Sequence, residues 1–131
     1  GNLMSTKEIV ENYYDGVTRN IGWQALISDD MKFISPGANT KGRAPYVEAT
    51  SRFLGIVKDV KVKELIIEGD RACALVDYAI VSPKGDLGNC FVAEFLSTKE
   101  GKIDSSTIFF DTGAFRAFYG SPKITPNPTS T

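Results

Sequence analysis

Acidic side chains in the second half of the chain are the groups best suited to acid–base chemistry. The run 101–111, Gly-Lys-Ile-Asp-Ser-Ser-Thr-Ile-Phe-Phe-Asp, opens with a turn, continues as a strand and ends in a carboxylate directly after two aromatic residues. Strand alternation places five of its residues on one face: Ile103, Ser105, Thr107, Phe109 and Asp111. A carboxylate on the same face as a phenyl ring either lies in water at the strand end or lines a small-molecule cavity.

Asp77 is a second acid in an unusual place. It lies in the middle of a predicted strand, on one face with Cys73, Leu75 and Ala79. Two carboxylates in an apolar cavity would have raised pKa values through desolvation and mutual repulsion, as a general acid or base at neutral pH requires. Two other interpretations stay open: Asp77 points to solvent on the far side of the sheet, and Asp111 caps a short helical turn.

The composition excludes several kinds of catalytic site. The chain has no histidine, which removes Ser–His and Cys–His nucleophiles and histidine-based metal sites. Cys73 and Cys90 have no metal-ligand spacing and are expected as buried free thiols. We therefore expect no metal and no cofactor, and acid–base chemistry only from carboxylates, Tyr, Lys or water.

Length and charge indicate an ordinary globular domain. The chain has 131 residues, 42% of them hydrophobic and 24% charged, which suits one domain with a real core. The formal net charge is −1, and the basic residues are scattered, so we expect neither nucleic acid nor a membrane surface as partner. No window approaches the roughly 18 apolar residues of a membrane span and no signal peptide is recognisable, so a cytoplasmic location is expected.

The first half of the chain predicts three helices. Ser5-Thr-Lys-Glu8 is a capping box, and apolar residues then recur on one helix face up to Val17. A short second helix around Trp23 is expected to end at Asp29-Asp30, before a brief strand at 31–35. A third helix is expected to begin at 42–45.

The second half predicts a sheet. Four β-rich runs, at 59–68, 71–82, 88–98 and 102–112, are separated by tight turn signals and must therefore be antiparallel neighbours. Residues 113–119 are expected to form a last helical turn, and 121–131 a disordered tail. This is an α+β layout, in which helices on one face of a curved sheet enclose a conical space suited to a small molecule.

In order and spacing these segments resemble the nuclear transport factor 2-like superfamily, in particular its SnoaL-like polyketide cyclase and ketosteroid isomerase-like branch. The resemblance covers nearly all of residues 5–118. It is carried by Tyr13-Tyr14, by 25–33 followed by Ser-Pro-Gly at 35–37, by Gly42-Arg43, and by 100–103 leading to Phe110-Asp111. It implies a single domain over 5–120, a cone-shaped α+β barrel of the cystatin-like or SnoaL-like type. About three N-terminal helices would pack on a strongly curved antiparallel sheet, whose outer face would form a homodimer.

The isomerase branch can be compared residue by residue. It implies a general base just before the Pro that ends the first strand, where this chain has Ser35. Its oxyanion hole combines a first-helix Tyr, matched by Tyr14, with a protonated Asp. Counted back from Gly101, that Asp position falls on Ala93, and Glu94 beside it is expected on the opposite face. We therefore expect no steroid isomerase activity.

Among the other branches, the dehydratase requires histidine, which this chain lacks. The epoxide hydrolase requires an Arg two residues before a strand Asp, and this chain has Leu75 at that position before Asp77. The cyclase-like branch remains, and it implies an Asp on a late strand as acid/base on an enolisable polyketide. Asp111 is preferred for this role over Asp104, which alternation places on the opposite face. Tyr14 and Asp77 would then polarise or orient the ligand.

Four further residues are expected to contact the ligand, unless they are core or turn residues: Trp23, Ser35, Phe53 and Phe109. Two functions follow from the resemblance. In one, the protein binds a small, mainly apolar, carbonyl-containing molecule and acts as a cofactor-independent cyclase, isomerase or lyase. In the other, it is a ligand-binding or dimerisation module without chemistry.

Overall fold

A computed structural model describes residues 4–120 of the chain; the predicted tail at 121–131 lies outside the described residues. The elements are, in chain order, helix α1 (Thr6–Arg19), a 3-10 turn (Trp23–Leu26), strands β1 (Ile27–Ser35) and β2 (Ala38–Lys41), helix α2 (Arg43–Leu54), strands β3 (Val57–Glu68), β4 (Arg71–Val81), β5 (Leu87–Lys99) and β6 (Lys102–Phe109), and helix α3 (Thr112–Tyr119).

The predicted capping box begins α1. The Ser5 hydroxyl accepts from the Glu8 backbone N–H at 3.2 Å, and the Glu8 carboxylate accepts from the Ser5 N–H at 2.9 Å. These two bonds satisfy donors that the first helical turn leaves free. The helix ends at Asn20, whose left-handed backbone (φ 53°) lets its N–H bond the carbonyls of the last turn. The sequence prediction for this helix is confirmed.

All six strands form one open sheet in the order β2-β1-β6-β5-β4-β3. The four long strands are antiparallel neighbours, as their tight turns predicted. The α+β fold is confirmed, but the sheet as a whole is mixed and not antiparallel throughout, because β1 pairs in parallel with β6. These two strands lie far apart in the chain, so no short turn dictates their direction. The expected barrel is not closed, since β2 and β3 remain as edges.

The helices also differ from the expectation. Only α1 and α2 are N-terminal α-helices; the segment at Trp23 is a single 3-10 turn, and β1 begins at Ile27, inside the predicted second helix. The third α-helix, α3, is C-terminal. The short strand β2 was missed because Ala-Asn-Thr-Lys has neither apolar alternation nor length. α1, α2 and α3 pack against one face of the sheet and enclose the core with it.

A β-bulge in β6 decides which residues of this strand reach the core. Ser97 of β5 pairs with Ser105, but its neighbour Thr98 pairs with Ile103, so Asp104 is an extra residue on β6. Ile103 and Ser106 are consequently both buried although three positions separate them. The alternation predicted from Ile103 is therefore reversed beyond the bulge, and Phe109 faces away from the core.

Candidate functional site

A mainly apolar cavity of about 250 Å³ lies between the helices and the inner face of the sheet. Its lining comes from α1, α2, α3 and four strands: Tyr13, Phe33, Ser35, Tyr46, Ala49, Thr50, Phe53, Tyr78, Cys90, Val92, Glu94, Ile108, Phe110 and Phe115. Within the described residues, Glu94 is the only acidic side chain in this lining. Half of these residues are aromatic, so a bound molecule would meet several rings and one carboxyl.

Glu94 is held in the cavity wall by strand alternation and two hydrogen bonds. On β5 the residues Cys90, Val92, Glu94 and Leu96 all face inward and are buried. The Tyr14 hydroxyl donates to one carboxyl oxygen of Glu94, and the Ser106 hydroxyl donates to the other at 2.5 Å. Burial raises the pKa of Glu94, and these two hydrogen bonds only oppose that rise.

Four tyrosines surround this carboxyl. The Tyr13 and Tyr46 hydroxyls hydrogen-bond each other. Burial is the main reason why the pKa values of Tyr13, Tyr14, Tyr46 and Tyr78 are raised, and the negative charge of Glu94 adds to it. The phenols therefore stay neutral and available as hydrogen-bond donors near Glu94.

The structure brings three of the predicted site residues to this region. Ser35 and Phe53 line the cavity, and Tyr14 bonds Glu94. Trp23 is fully buried in the hydrophobic core, and its indole N–H donates to the Asn20 side-chain oxygen at 3.2 Å. Trp23 is not among the cavity residues, so its position is that of a core aromatic.

The two predicted acids do not converge in a cavity beside Tyr14, and that expectation is wrong. Asp111 is exposed and caps α3, where its Oδ1 accepts from the Ala114 N–H at 2.9 Å. Asp77 lies on the outer face of the sheet and accepts from the Asn89 amide at 2.8 Å. Asp111 is therefore a helix cap, and Asp77 is a carboxylate on the far side of the sheet, as the two alternative interpretations of the sequence allowed.

The sequence prediction also placed Phe109 on the wrong face of the sheet. It is 58% exposed and contacts Phe95 edge to face on the outer side of the sheet, with ring centroids 6.5 Å apart. The bulge at Asp104 is the cause, because it turns Ile108 and Phe110 inward instead. Phe109 is therefore not a cavity residue.

Glu94 is the cavity carboxyl that the sequence comparison missed. Counting back from Gly101 assigned the acidic position to Ala93, one residue away, and a shift of one residue changes the face of a strand. Alternation gives no signal here, because both faces of the run 90–96 are apolar: Phe91, Ala93 and Phe95 share the face opposite to Glu94. Tyr46 and Ser106 come from separate elements, and only the folded chain brings them to Glu94.

No group of three or more His, Cys, Asp or Glu between residues 4 and 120 is arranged to hold a metal ion. None of the helices in that same part of the chain has both the length and the apolar character needed to cross a membrane.

No protein-family profile and no curated protein sequence matches the chain significantly. Solved structures do. A candidate SnoaL-like polyketide cyclase from Jannaschia sp. CCS1 superposes with a TM-score of 0.77 at 15% identity, over 93% of this chain and 99% of that one. TerC, co-crystallised with polyporic acid, gives a TM-score of 0.75 at 19% identity over 87% and 97%.

A third structure belongs to a protein from Catenulispora acidiphila that has a ketosteroid isomerase-like fold and is in complex with trimethylamine. Its TM-score is 0.69 at 19% identity, and the match covers 88% of this chain and 94% of that one. At these identities the likeness concerns architecture alone. It confirms the resemblance seen in the sequence at that level: the chain has the nuclear transport factor 2-like, SnoaL-like fold.

Proposed function

We propose that the protein binds a small, mainly apolar, carbonyl-containing molecule in the cavity, with Glu94 as the acid–base group in place of Asp111. One observation supports this above all: a buried carboxyl with a raised pKa, bonded to Tyr14 and Ser106, in the wall of an apolar cavity. A carboxylic acid kept neutral by its apolar surroundings donates a hydrogen bond to a carbonyl oxygen, and in other enzymes such donors stabilise negative charge on that oxygen.

The size of the cavity favours a small ligand. Its volume of about 250 Å³ lies just under the roughly 300–1,000 Å³ of most small-molecule sites. A compound of one or two rings therefore suits it better than a steroid or a polyketide of several rings. Two structures with the same fold contain small molecules, polyporic acid and trimethylamine, which supports a binding role for the fold.

The catalytic part of the proposal is a cyclisation or isomerisation in which Glu94 moves a proton at the carbonyl oxygen. The alternative is a ligand-binding module without chemistry, and Ser35 is the observation that favours it. Ser35 lines the cavity at the position where the isomerase branch has its base, and a serine hydroxyl is no base at neutral pH unless another group activates it. Turnover of a cyclic enone into its isomer would support catalysis, and binding without turnover would support the alternative.

Removing the Tyr46 hydroxyl is expected to weaken ligand binding. The Tyr46→Phe variant loses one donor in the cavity wall, and a neutral hydrogen bond contributes about 0.5–1.5 kcal/mol. We therefore expect the dissociation constant of 1-tetralone, a two-ring ketone, to rise about three- to tenfold in isothermal titration calorimetry.

A matched control makes the same chemical change outside the cavity. Tyr119 is 41% exposed on α3, and Tyr119→Phe should leave the dissociation constant unchanged, as should Asp111→Asn. An equal loss of affinity in Tyr46→Phe and Tyr119→Phe would contradict the assignment of Tyr46. A higher dissociation constant in Asp111→Asn would indicate that Asp111 belongs to the binding site.

The outer face of the sheet supports a homodimer, which is also what a dimerisation module would need. Its exposed apolar side chains form a patch across β3 to β6: Ile66, Leu75, Phe91, Phe95 and Phe109. Large exposed apolar patches are uncommon on monomers and mark interfaces. A second copy of the chain, related by a two-fold axis, would cover this patch with the same patch.

A charge in this patch is expected to separate the dimer. Phe95→Glu would bury an unpaired carboxylate twice in a symmetric interface, at a cost of several kcal/mol. Sedimentation at micromolar protein should then show a dimer for the natural chain and a monomer for Phe95→Glu. Ile21, 63% exposed and outside the sheet, provides the control Ile21→Glu, which should stay dimeric. A natural chain that sediments as a monomer would exclude this interface.

A further inference from the structure

Helix α3 closes part of the cavity with aromatic side chains, although none of its residues is buried. Phe115 of α3 and Phe110 just before the helix belong to the cavity lining. Phe115 and Phe118 pack on the core and remain partly exposed. The helix has 8 residues, and isolated helices shorter than about 12–15 residues are marginal in water. The structure of α3 therefore depends on these aromatic contacts.

Polar contacts do not fasten α3 to the rest of the protein. The Asp111 carboxylate accepts from the Ala114 N–H at 2.9 Å, and the Asp111 carbonyl accepts from the Phe115 N–H at 3.0 Å. Both bonds lie within the first turn of the helix. Between residues 4 and 120, no hydrogen bond or ion pair connects α3 with another helix or strand. The helix can therefore move away from the sheet without leaving a buried polar group unpaired.

The contact of Phe118 with the sheet requires a glycine. Gly88 lies on β5, on the same face as Cys90 of the cavity lining. A Cβ on Gly88 would lie 2.6 Å from the Phe118 ring, so the ring occupies the space that any other side chain would fill. Gly88 is not among the residues with positive φ, so its backbone does not require glycine. Glycine weakens a strand and marks a close approach, and here the Phe118 ring is the group that approaches.

We propose that α3 is a lid on the cavity and that the contact between Phe118 and Gly88 holds this lid closed. A ligand enters and leaves when α3 lifts from the sheet, because Phe115 then leaves the cavity wall. Phe118 and Gly88 lie outside the cavity lining and are positioning residues, which act by keeping Phe115 in place. The inference rests on the proposed function, since it describes how the same small molecule reaches the cavity.

The lid is expected to open while the sheet stays folded. Segments with few buried contacts open at a low cost in free energy, so the α3 amides should exchange with deuterium faster than those at the centre of β4. The methyl group of Gly88→Ala displaces the Phe118 ring, and Phe118→Leu removes it. Each change should accelerate the exchange of the α3 amides about tenfold, as the loss of a partly buried phenyl contact predicts. Exchange at the centre of β4 should stay unchanged.

Two further variants separate this contact from a general loss of stability. In the double variant Gly88→Ala/Phe118→Leu the methyl group has no ring to displace, so α3 should exchange no faster than in Phe118→Leu alone. Gly113→Ala should have the opposite effect. A Cβ on Gly113 would meet only the Asp111 Oδ1, at an ordinary 3.5 Å. Because alanine favours a helix over glycine, this change should slow α3 exchange about two- to fivefold.

The ligand measurement uses 6-fluoro-1-tetralone, whose fluorine NMR exchange gives the association and dissociation rate constants. Gly88→Ala should raise both rate constants, each about tenfold, because entry and exit both pass through the open lid. A cavity wall that is merely loosened would raise the dissociation rate constant alone. Saturation with the ketone should slow the exchange of the α3 amides in the natural chain, since the ligand packs against Phe115.

Three results would overturn the inference. The α3 amides may exchange only when the whole domain unfolds, Gly88→Ala may leave their exchange unchanged, or exchange may accelerate while the association rate constant stays that of the natural chain. If 6-fluoro-1-tetralone does not bind at millimolar concentration, the proposed function itself fails. The exchange measurements need no ligand, so they decide separately whether Phe118 and Gly88 hold α3 on the sheet.

Discussion

Replacing Trp23 with alanine is expected to lower the free energy of unfolding by about 3–5 kcal/mol, the range observed for large aromatic residues in protein cores. Trp23 has no exposed surface, its ring meets Tyr13 edge to face with centroids 6.3 Å apart, and its indole N–H bonds Asn20. The variant would leave a cavity and an unpaired Asn20 side chain. Because whole domains of this size are stable by only about 5–15 kcal/mol, such a loss is a large fraction of the total.

Urea denaturation followed by circular dichroism measures this loss, and a neighbouring residue supplies the control. Ile21 lies two positions away and is 63% exposed, so Ile21→Ala should change the free energy of unfolding by no more than about 0.5 kcal/mol. The sequence also allowed Trp23 as a ligand contact. A Trp23→Ala variant that unfolds like the natural chain but binds ligand more weakly would restore that interpretation and contradict its place in the core.

The same region explains a glycine that helix propensity disfavours. A Cβ on Gly16 would lie 2.9 Å from the Ile21 carbonyl oxygen and 3.0 Å from the Trp23 backbone nitrogen. Both neighbours are main-chain atoms, which cannot move as a side-chain end can. Gly16 therefore weakens α1 locally and allows the turn that carries Trp23 to pack against it. Sequence alone shows only the first of these effects.

Local signals predicted most of the fold. The capping box at Ser5 and Glu8, the helix from residue 43 and the four strands between tight turns depend on neighbours in sequence, and the structure confirms them. The parallel pairing of β1 with β6 and the short strand β2 depend on contacts between distant segments. Such contacts leave no periodic pattern within one segment, so they could not be predicted from it.

The candidate site depended on the face of a strand, and there the prediction failed. One extra residue at Asp104 reversed the orientation of the end of β6, which removed Phe109 from the cavity. A count that ended on Ala93 placed Glu94 on the opposite face, and both faces of β5 at this point are apolar in sequence, so alternation did not correct the count. An error of one residue is negligible for a fold, but it exchanges the two faces of a sheet and thereby the residues of a site.

Replacing Glu94 with glutamine is expected to stabilise the protein increasingly as pH rises. Burial raises the pKa of Glu94 in the folded chain above the ordinary 4.5. Between these two pKa values the folded state holds more protons than the unfolded state, so the stability of the natural chain falls as pH rises through this window. Each pKa unit between the folded and the unfolded value corresponds to about 1.4 kcal/mol in the free energy of unfolding. Glutamine has no proton to lose, and its amide can replace the hydrogen bonds of the neutral carboxyl.

The difference in free energy of unfolding between Glu94→Gln and the natural chain should therefore grow with pH and level off above the folded pKa of Glu94. Urea denaturation at a series of pH values from about 4 upward measures it. Glu8→Gln provides a contrast of opposite sign, because the Ser5 hydrogen bonds lower the pKa of Glu8, and the stability that Glu8 contributes is lost as pH falls. Parallel stability profiles for Glu94→Gln and the natural chain would mean that Glu94 keeps an ordinary pKa when folded. A buried acid with an ordinary pKa would already be ionised at neutral pH, and the cavity would then have no carboxyl proton to offer a carbonyl oxygen.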